Sequence, residues 1–271
     1  AALAGPGIVS LVPSLTEAIV SFGLLDELRG RTRYCEEPAG LIEAVPSFGG
    51  TKNPDVAAII ELGPELVIVN KEENRIEDCQ AFEDAGLTLY VTHPRTVEAA
   101  IAMLEELAAS LGVGREQAGF IAACRDALEL AECELAEAGA GGREPLSGFC
   151  PIWRRPWMTF ADGTYIGDVL RLAGVTNVFG GRDDGDFFNV EIADLLELGP
   201  ELVVLPDEPY AFGPEHAEEL RAAGLDARFV HADGKHLSWY GPRIPAALAG
   251  LRALVADPEP LASHTSCTER V

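Results

Sequence analysis

Nine aromatic residues fall between the periodic segments of this chain: Tyr34, Phe48, Trp153, Trp157, Phe187, Phe188, Tyr210, Trp239 and Tyr240. All three tryptophans are among them. Flat apolar faces with a few polar tips, gathered on loops, suit a large, planar, partly apolar ligand. The competing use is to cap a hydrophobic core, and about a third of the nine are expected to do so. Residues for covalent or acid–base chemistry are sparse. The chain has no GxSxG, no HExxH, no P-loop and no GxGxxG after a strand. Of its five histidines, His93, His231 and His236 fall near strand ends. A solitary histidine there is more often an ordinary polar loop residue than a ligand. Glu72-Glu73 and Asp207-Glu208 offer carboxylate pairs for a cation, but a solvated rim is the commoner use in so acidic a chain. With no nucleophile beside a base, the expected function is binding rather than catalysis, with no catalytic residue, no required cofactor and no dedicated metal site.

The elements that must position these side chains are written twice. Glu61-Leu-Gly-Pro-Glu-Leu-Val-Ile-Val69 returns 136 positions later as Glu197-Leu-Gly-Pro-Glu-Leu-Val-Val-Leu205. Matching pieces flank the copies in the same order: Thr16-Glu17 and Thr164-Tyr165 each open an apolar helical stretch, and Ala85-Gly-Leu87 returns as Ala223-Gly-Leu225. Ordered echoes at similar offset predict two lobes of like α/β topology, with the ligand in the cleft between them. In open parallel sheets ligands approach the carboxyl ends of the strands. The loops that matter are therefore Ser14 to Thr16, Asn70-Lys-Glu-Glu73 and Thr92-His-Pro94 in the first lobe, and 152–157, 206–210 and 232–240 in the second. Ser14-Leu-Thr-Glu17 reads as a capping box after a strand at 8–13. Arg115 to Ala138 reads as one long helix, ended by Gly-Ala-Gly-Gly142. The expected division is 1–112 for the first lobe, 113–142 for the connecting helix and 143–271 for the second lobe. One helical connection is stiff, so large closure would be costly.

Bulk composition narrows the partners. At 271 residues and 48% hydrophobic composition the chain can fill two cores. Its net charge of −24, with only Lys52, Lys71 and Lys235 as lysines, excludes nucleic acid, which needs a basic face. No apolar run reaches the roughly 20 residues of a membrane span, and Ala1 to Gly7 has neither the basic start nor the apolar core of a signal peptide. The six cysteines (Cys35, Cys79, Cys124, Cys133, Cys150, Cys267) show no CxxC. Cys124 and Cys133 share the long helix at about 13 Å of rise, beyond the ~7 Å limit of a disulfide. Buried free thiols are expected, which leans toward a reducing compartment, with a Cys35–Cys150 pair left open.

With these pieces in order, the chain resembles the cobalamin-binding and iron-siderophore-binding receptors of ABC importers. The resemblance rests on Ile8-Val-Ser-Leu-Val-Pro-Ser-Leu-Thr-Glu17, Val45-Pro-Ser-Phe-Gly-Gly50, the Leu-x-Pro-Glu-Leu-Val phrases, the helix from 115, Tyr165 to Phe179, and Ser238-Trp-Tyr-Gly-Pro-Arg243. It spans nearly the whole chain and implies two Rossmann-like lobes with parallel sheets joined by a single backbone helix. The pattern is closest to the cobalamin branch, which implies that Phe48, Phe187 and Trp239 border a corrin, joined by Tyr34. Ser14, Asn70, Lys71, Trp153, Tyr240 and Arg243 complete the candidate ligand-binding set. The ligand expected is cobalamin or a related corrinoid. Haem, a ferric siderophore or a metal ion are the alternatives, and a haem would use Tyr34, His93 or His236 as axial ligand. The implied partner is an importer permease. Its usual docking carboxylates are replaced here by Ala57 and Ala193, with Asp55 and Asp194 near enough to substitute, so a corrinoid-binding protein not coupled to an importer stays open. The resemblance implies an extracytoplasmic protein, while the unpaired cysteines and missing signal leave a cytoplasmic one as the alternative.

Overall fold

The computed structural model describes residues 7–182 and 184–256. They form two compact units: one holds the residues to Leu128 together with Trp239–Pro245, the other Glu129–Ser238 with the residues from Ala246 onward. The first unit begins with β1 (Ile8–Ser10), α1 (Pro13–Ser21) and β2 (Leu28–Arg31), and continues through α2 (Val56–Leu62), β3 (Leu66–Asn70), α3 (Ile76–Asp84), β4 (Leu89–Thr92) and α4 (Val97–Ser110). Its sheet has the order β2-β1-β3-β4, every pair parallel. Parallel sheets are covered on both faces, so their central strands are apolar throughout. Val9, Leu11, Val67 and Val69 accordingly share a core with Ile59 and Phe82 from the covering helices.

α5 (Gly119–Ala140) runs unbroken for 22 residues and passes from the first unit into the second. The second unit holds β5 (Leu146–Phe149), β6 (Met158–Phe160), α6 (Tyr165–Leu172), β7 (Val175–Asn177), β8 (Phe187–Asn189), α7 (Ile192–Leu198), β9 (Leu202–Pro206), α8 (Pro214–Ala222), β10 (Arg228–Ala232) and α9 (Gly234–Ser238). α10 (Ile244–Ala256) follows. The parallel sheet has the order β10-β9-β5-β7, and β6 and β8 form a separate antiparallel pair. Phe149, Phe179, Val203, Leu205, Leu220 and Phe229 build its core. The expected α/β class with a parallel sheet in each half is what forms. The return of Trp239–Pro245 to the first unit was not foreseen.

The internal repeat is a helix-to-strand corner used twice. α2 ends at Gly63 (φ 61°) and α7 at Gly199 (φ 54°). Each glycine takes the left-handed conformation that lets its amide bond back to the helix, Gly63 to Ile59 O at 3.2 Å and Gly199 to Leu195 O at 3.0 Å. The next residue, Pro64 or Pro200, cannot continue the helix, and a buried strand follows. One local expectation fails. α1 starts at Pro13 after an N-cap at Val12 that makes no side-chain cap bond, so the Ser14–Glu17 capping box is absent. Proline suits the first helical position because it has no amide to satisfy. That moves the N-cap two residues toward the N-terminus, from Ser14 to Val12, and places Ser14 and Glu17 inside the helix. Burial of the free thiols is also uneven: Cys35, Cys124 and Cys150 are buried, Cys79 is intermediate and Cys133 is exposed, while Cys267 lies outside the described residues.

A β-carbon at Gly199 would meet nothing within 4 Å, and one at Gly63 only Ile60 O at 4.0 Å. The expected cost of Gly63→Ala or Gly199→Ala is therefore conformational, about 1–2 kcal/mol each. Urea unfolding of the two variants should give similar losses; a neutral result for either would deny that the left-handed corner is required.

Candidate functional site

In the first unit the strand order reverses between β1 and β3, so the loops after Ser10 and Asn70 flank the switch point where open α/β sheets take ligands. Asn70 ends β3 with its side chain buried and engaged on every side. Its Oδ1 accepts the amides of Glu72 (2.7 Å) and Glu73 (3.3 Å), and its Nδ2 donates to Thr92 Oγ1 (3.3 Å) and to the Tyr240 hydroxyl (2.7 Å). Its own amide donates to Asn74 Oδ1 at 2.7 Å. Asn70 thus shapes the loop and holds a neighbour, with no group left to offer a ligand. Tyr240 is 5% exposed. Burial, reinforced by the Glu73 carboxylate, raises its phenol well above the ordinary range, against hydrogen bonds from Thr92 and Ser14 that pull the other way. It is a neutral phenol inserted at the switch point beside Ser14.

The rest of the returning segment is tied down in the same unit. Arg243 Nε donates to Glu17 Oε2 at 2.7 Å, its Nη2 lies 3.2 Å from Glu37, and its guanidinium stacks over Trp239 at 5.4 Å. Trp239 is only 8% exposed. Cys124 Sγ donates to Gly241 O at 3.3 Å. Phe48 is partly buried and lies on Gly30, where a β-carbon would come within 2.7 Å of its ring. Lys71 is exposed. Tyr34 is 50% exposed, with the Arg33 guanidinium 5.1 Å above its ring. His93 Nε2 sits 3.3 Å from Glu72 Oε1. Here Tyr34 is the candidate aromatic that keeps a large free face.

In the second unit the order reverses between β5 and β9. The loop after β5 carries Trp153, 45% exposed, and the loop after β9 carries Tyr210; their rings meet edge to face at 5.5 Å and 70°. Behind them Tyr210 contacts Phe212 at 4.8 Å, and Phe212 stacks on Trp157 at 5.7 Å and 7°. The Arg154 guanidinium covers Trp157 at 4.7 Å and grips Glu219 through Nε at 3.1 Å and through Nη2. Phe187, on β8 opposite Phe160, is 39% exposed, whereas its neighbour Phe188 points into the core. His236 lies 3.9 Å from Asp233. Trp157, Phe188, Trp239 and Tyr240 are thus core caps, and Tyr34, Trp153 and Phe187 present open faces. Sequence reasoning passed over Tyr210 as a site residue, although its position in the loop after β9 was visible.

The periplasmic binding protein family matches residues 8–222 of this chain. The chain belongs to that family. Its members are the substrate-binding proteins of ABC transporters, so this is a binding protein and not an enzyme, with a small-molecule ligand and a permease as partners. The family is periplasmic and gives the cytoplasmic alternative no support; among the described residues no helix is long and apolar enough to cross a membrane. The vitamin B12-binding protein of Vibrio cholerae is 23% identical over 209 residues, 76% of this chain and 72% of that protein. The one from Photorhabdus laumondii is 27% identical over 202 residues, 73% and 70% of the two chains. Among solved structures, the periplasmic vitamin B12-binding protein of Vibrio cholerae aligns with a TM-score of 0.75 at 21% identity, over 92% of this chain and 96% of that one. A periplasmic haem-binding protein from Roseiflexus sp. RS-1 aligns at 0.77 and 19%, over 92% and 97%. These likenesses place the fold.

Two outcomes follow for the protein's stability. Tyr240→Phe leaves the buried Asn70 amide without one of its two acceptors and should cost about 1–3 kcal/mol in chemical denaturation; an unchanged midpoint would mean that the hydrogen bond contributes nothing. Burial also pushes the Cys124 thiol up to about 12 from 9.0, and raises Cys35 and Cys150 as well. In the unfolded chain these thiols ionise near 9, so stability is fully present below that pH and should fall as pH rises through it. Denaturation at about pH 8 and about pH 10 checks this, with equal stabilities as the contrary result.

Proposed function

We propose that the protein binds a cobalamin-like corrinoid through aromatic loops at the carboxyl ends of its parallel strands, and delivers it to an ABC importer outside the cytoplasmic membrane. The observation that carries this reading is the sequence match to vitamin B12-binding proteins over 72–76% of the chain in the Vibrio relatives. The exposed faces of Trp153, Phe187 and Tyr34 support it, because a corrin offers broad apolar faces and edges. Ser14, Asn70, Trp239, Tyr240 and Arg243 act one step back, by building the first unit's strand ends. On the permease side, Ala57 and Ala193 are exposed on α2 and α7. Asp55 caps α2 by accepting the Ala58 amide at 3.1 Å, and Asp194 lies 3.5 Å from Arg182 Nη1. Both nearby carboxylates are already engaged, so docking at these helices uses fewer free acidic groups than the resemblance implies.

Haem is the second reading, favoured by Tyr34, whose exposed phenol sits beside Arg33 and is placed to serve as an axial oxygen. Titrating hydroxocobalamin and hemin into the purified protein, with visible spectra and calorimetry, separates the two. Trp153→Ala should weaken the bound ligand about 10- to 100-fold. Unchanged spectra on adding hydroxocobalamin, with a hemin shift that disappears in Tyr34→Phe, would replace the corrinoid reading by the haem one. Identical spectral shifts in wild type, His93→Ala and His236→Ala would retire both histidines as axial ligands.

A further inference from the structure

The switch-point loops of the second unit contain a hydroxyl whose hydrogen-bonding direction is fixed from behind. The Gly213 amide donates to His216 Nδ1 at 2.9 Å. A backbone N–H can only donate, so Nδ1 carries the lone pair and the neutral imidazole has its proton on Nε2. The Glu215 carboxylate, 3.5 Å from Nδ1, is too distant to displace that amide. Nε2 lies 3.3 Å from the Tyr210 hydroxyl, so the imidazole is the donor and the phenol oxygen the acceptor. His216 cannot turn to reverse these roles. It is 7% exposed and wedged nearly perpendicular to Trp157, Tyr210 and Phe212, at centroid distances of 6.4, 5.4 and 5.1 Å. Among the described residues His216 is the Tyr210 hydroxyl's hydrogen-bonding partner, and it uses the oxygen. The phenolic proton is left for a group outside the protein.

We propose that Tyr210 is a specificity-determining residue: held by His216 as an outward donor beside the open face of Trp153, it binds a hydrogen-bond acceptor on the edge of a planar ligand. The proposal rests on the reading of these loops as the binding site. Its ligand chemistry is an apolar ring against Trp153 with an amide carbonyl or carboxylate at its rim. Corrinoids and porphyrins both offer such acceptors, and an unsubstituted aromatic ring does not. His216 is the positioning residue, and its contribution is the choice of tautomer.

The test uses the whole chain and two probes, hydroxocobalamin and hemin, titrated separately into wild type, Trp153→Ala and Tyr210→Phe. Tyr210→Phe keeps the ring and removes only the hydroxyl. It should weaken whichever probe binds about 3- to 10-fold, the worth of one neutral hydrogen bond, measured well below the melting temperature because the change also leaves His216 Nε2–H without its acceptor and lowers the stability of the free protein. Nitrogen NMR of the free protein should show His216 protonated on Nε2. Weakening by Trp153→Ala but not by Tyr210→Phe overturns the role of Tyr210 and leaves the site standing. No effect of Trp153→Ala, or no binding of either probe, removes the site itself and this inference with it. A His216 protonated on Nδ1 makes the hydroxyl a donor to the imidazole and also overturns the proposal.

Discussion

The side chain of Asn70 is where the constraints on the first unit converge. A parallel strand that ends at a switch point leaves backbone amides in the following loop with no strand partner, and buried amides must be satisfied. Asn70 answers for the amides of Glu72 and Glu73 with its oxygen, and for the Thr92 and Tyr240 hydroxyls with its nitrogen. One residue thereby fixes the loop after β3, ties it to the end of β4 and seats a segment from 170 positions later in the chain. With that network in place, Arg243 meets Glu17 and Glu37, and Trp239 lies beneath the guanidinium. A charged pair so placed holds geometry more than it adds stability, because desolvation offsets much of its attraction.

The two units solve the same problem with different chemistry. Both have a four-stranded parallel sheet with a switch point, and both reach it by the same helix, left-handed glycine, proline and strand. In the first unit the switch point is filled by a buried phenol in a polar network, so the aromatics there are structural except for Tyr34. In the second unit Trp153 and Tyr210 meet across it, Trp153 keeps an open face, and Phe212, Trp157 and His216 form a layer behind Tyr210. That backing makes the loop aromatics rigid, and a preorganised aromatic face loses little side-chain entropy when a ligand covers it.

The strong negative charge bears on partners and not on fold. With 44 acidic residues against 20 basic, several arginines are drawn into ion pairs, such as Arg171 with Asp168 and Glu132, Arg125 with Glu105 and Arg154 with Glu219. Pairs at the surface are screened and contribute little each. Their effect is to hold those basic side chains against the protein's own carboxylates.

The sequence by itself determined the α/β class, the doubled corner at Gly63 and Gly199, the long helix α5 and the helix start at Thr164, because each depends on residues within one turn or strand. It also placed most of the aromatics in loops, although Phe187 and Phe188 lie on β8. Only the tertiary structure decided which of them are open. Trp157, Trp239 and Tyr240 are as aromatic and as loop-borne as Tyr34 and Trp153, and Phe188 adjoins Phe187 on β8, but burial depends on what packs from distant parts of the chain. The short strands β2, β6, β7 and β8 escaped notice because three or four residues carry too little periodicity to read. The Ser14 capping box misled because Pro13 competes for the same helix start. Tyr210 escaped because a hydroxyl's role is set by its acceptor and donor neighbours, and His216 and Gly213 take those roles only once the loop has folded.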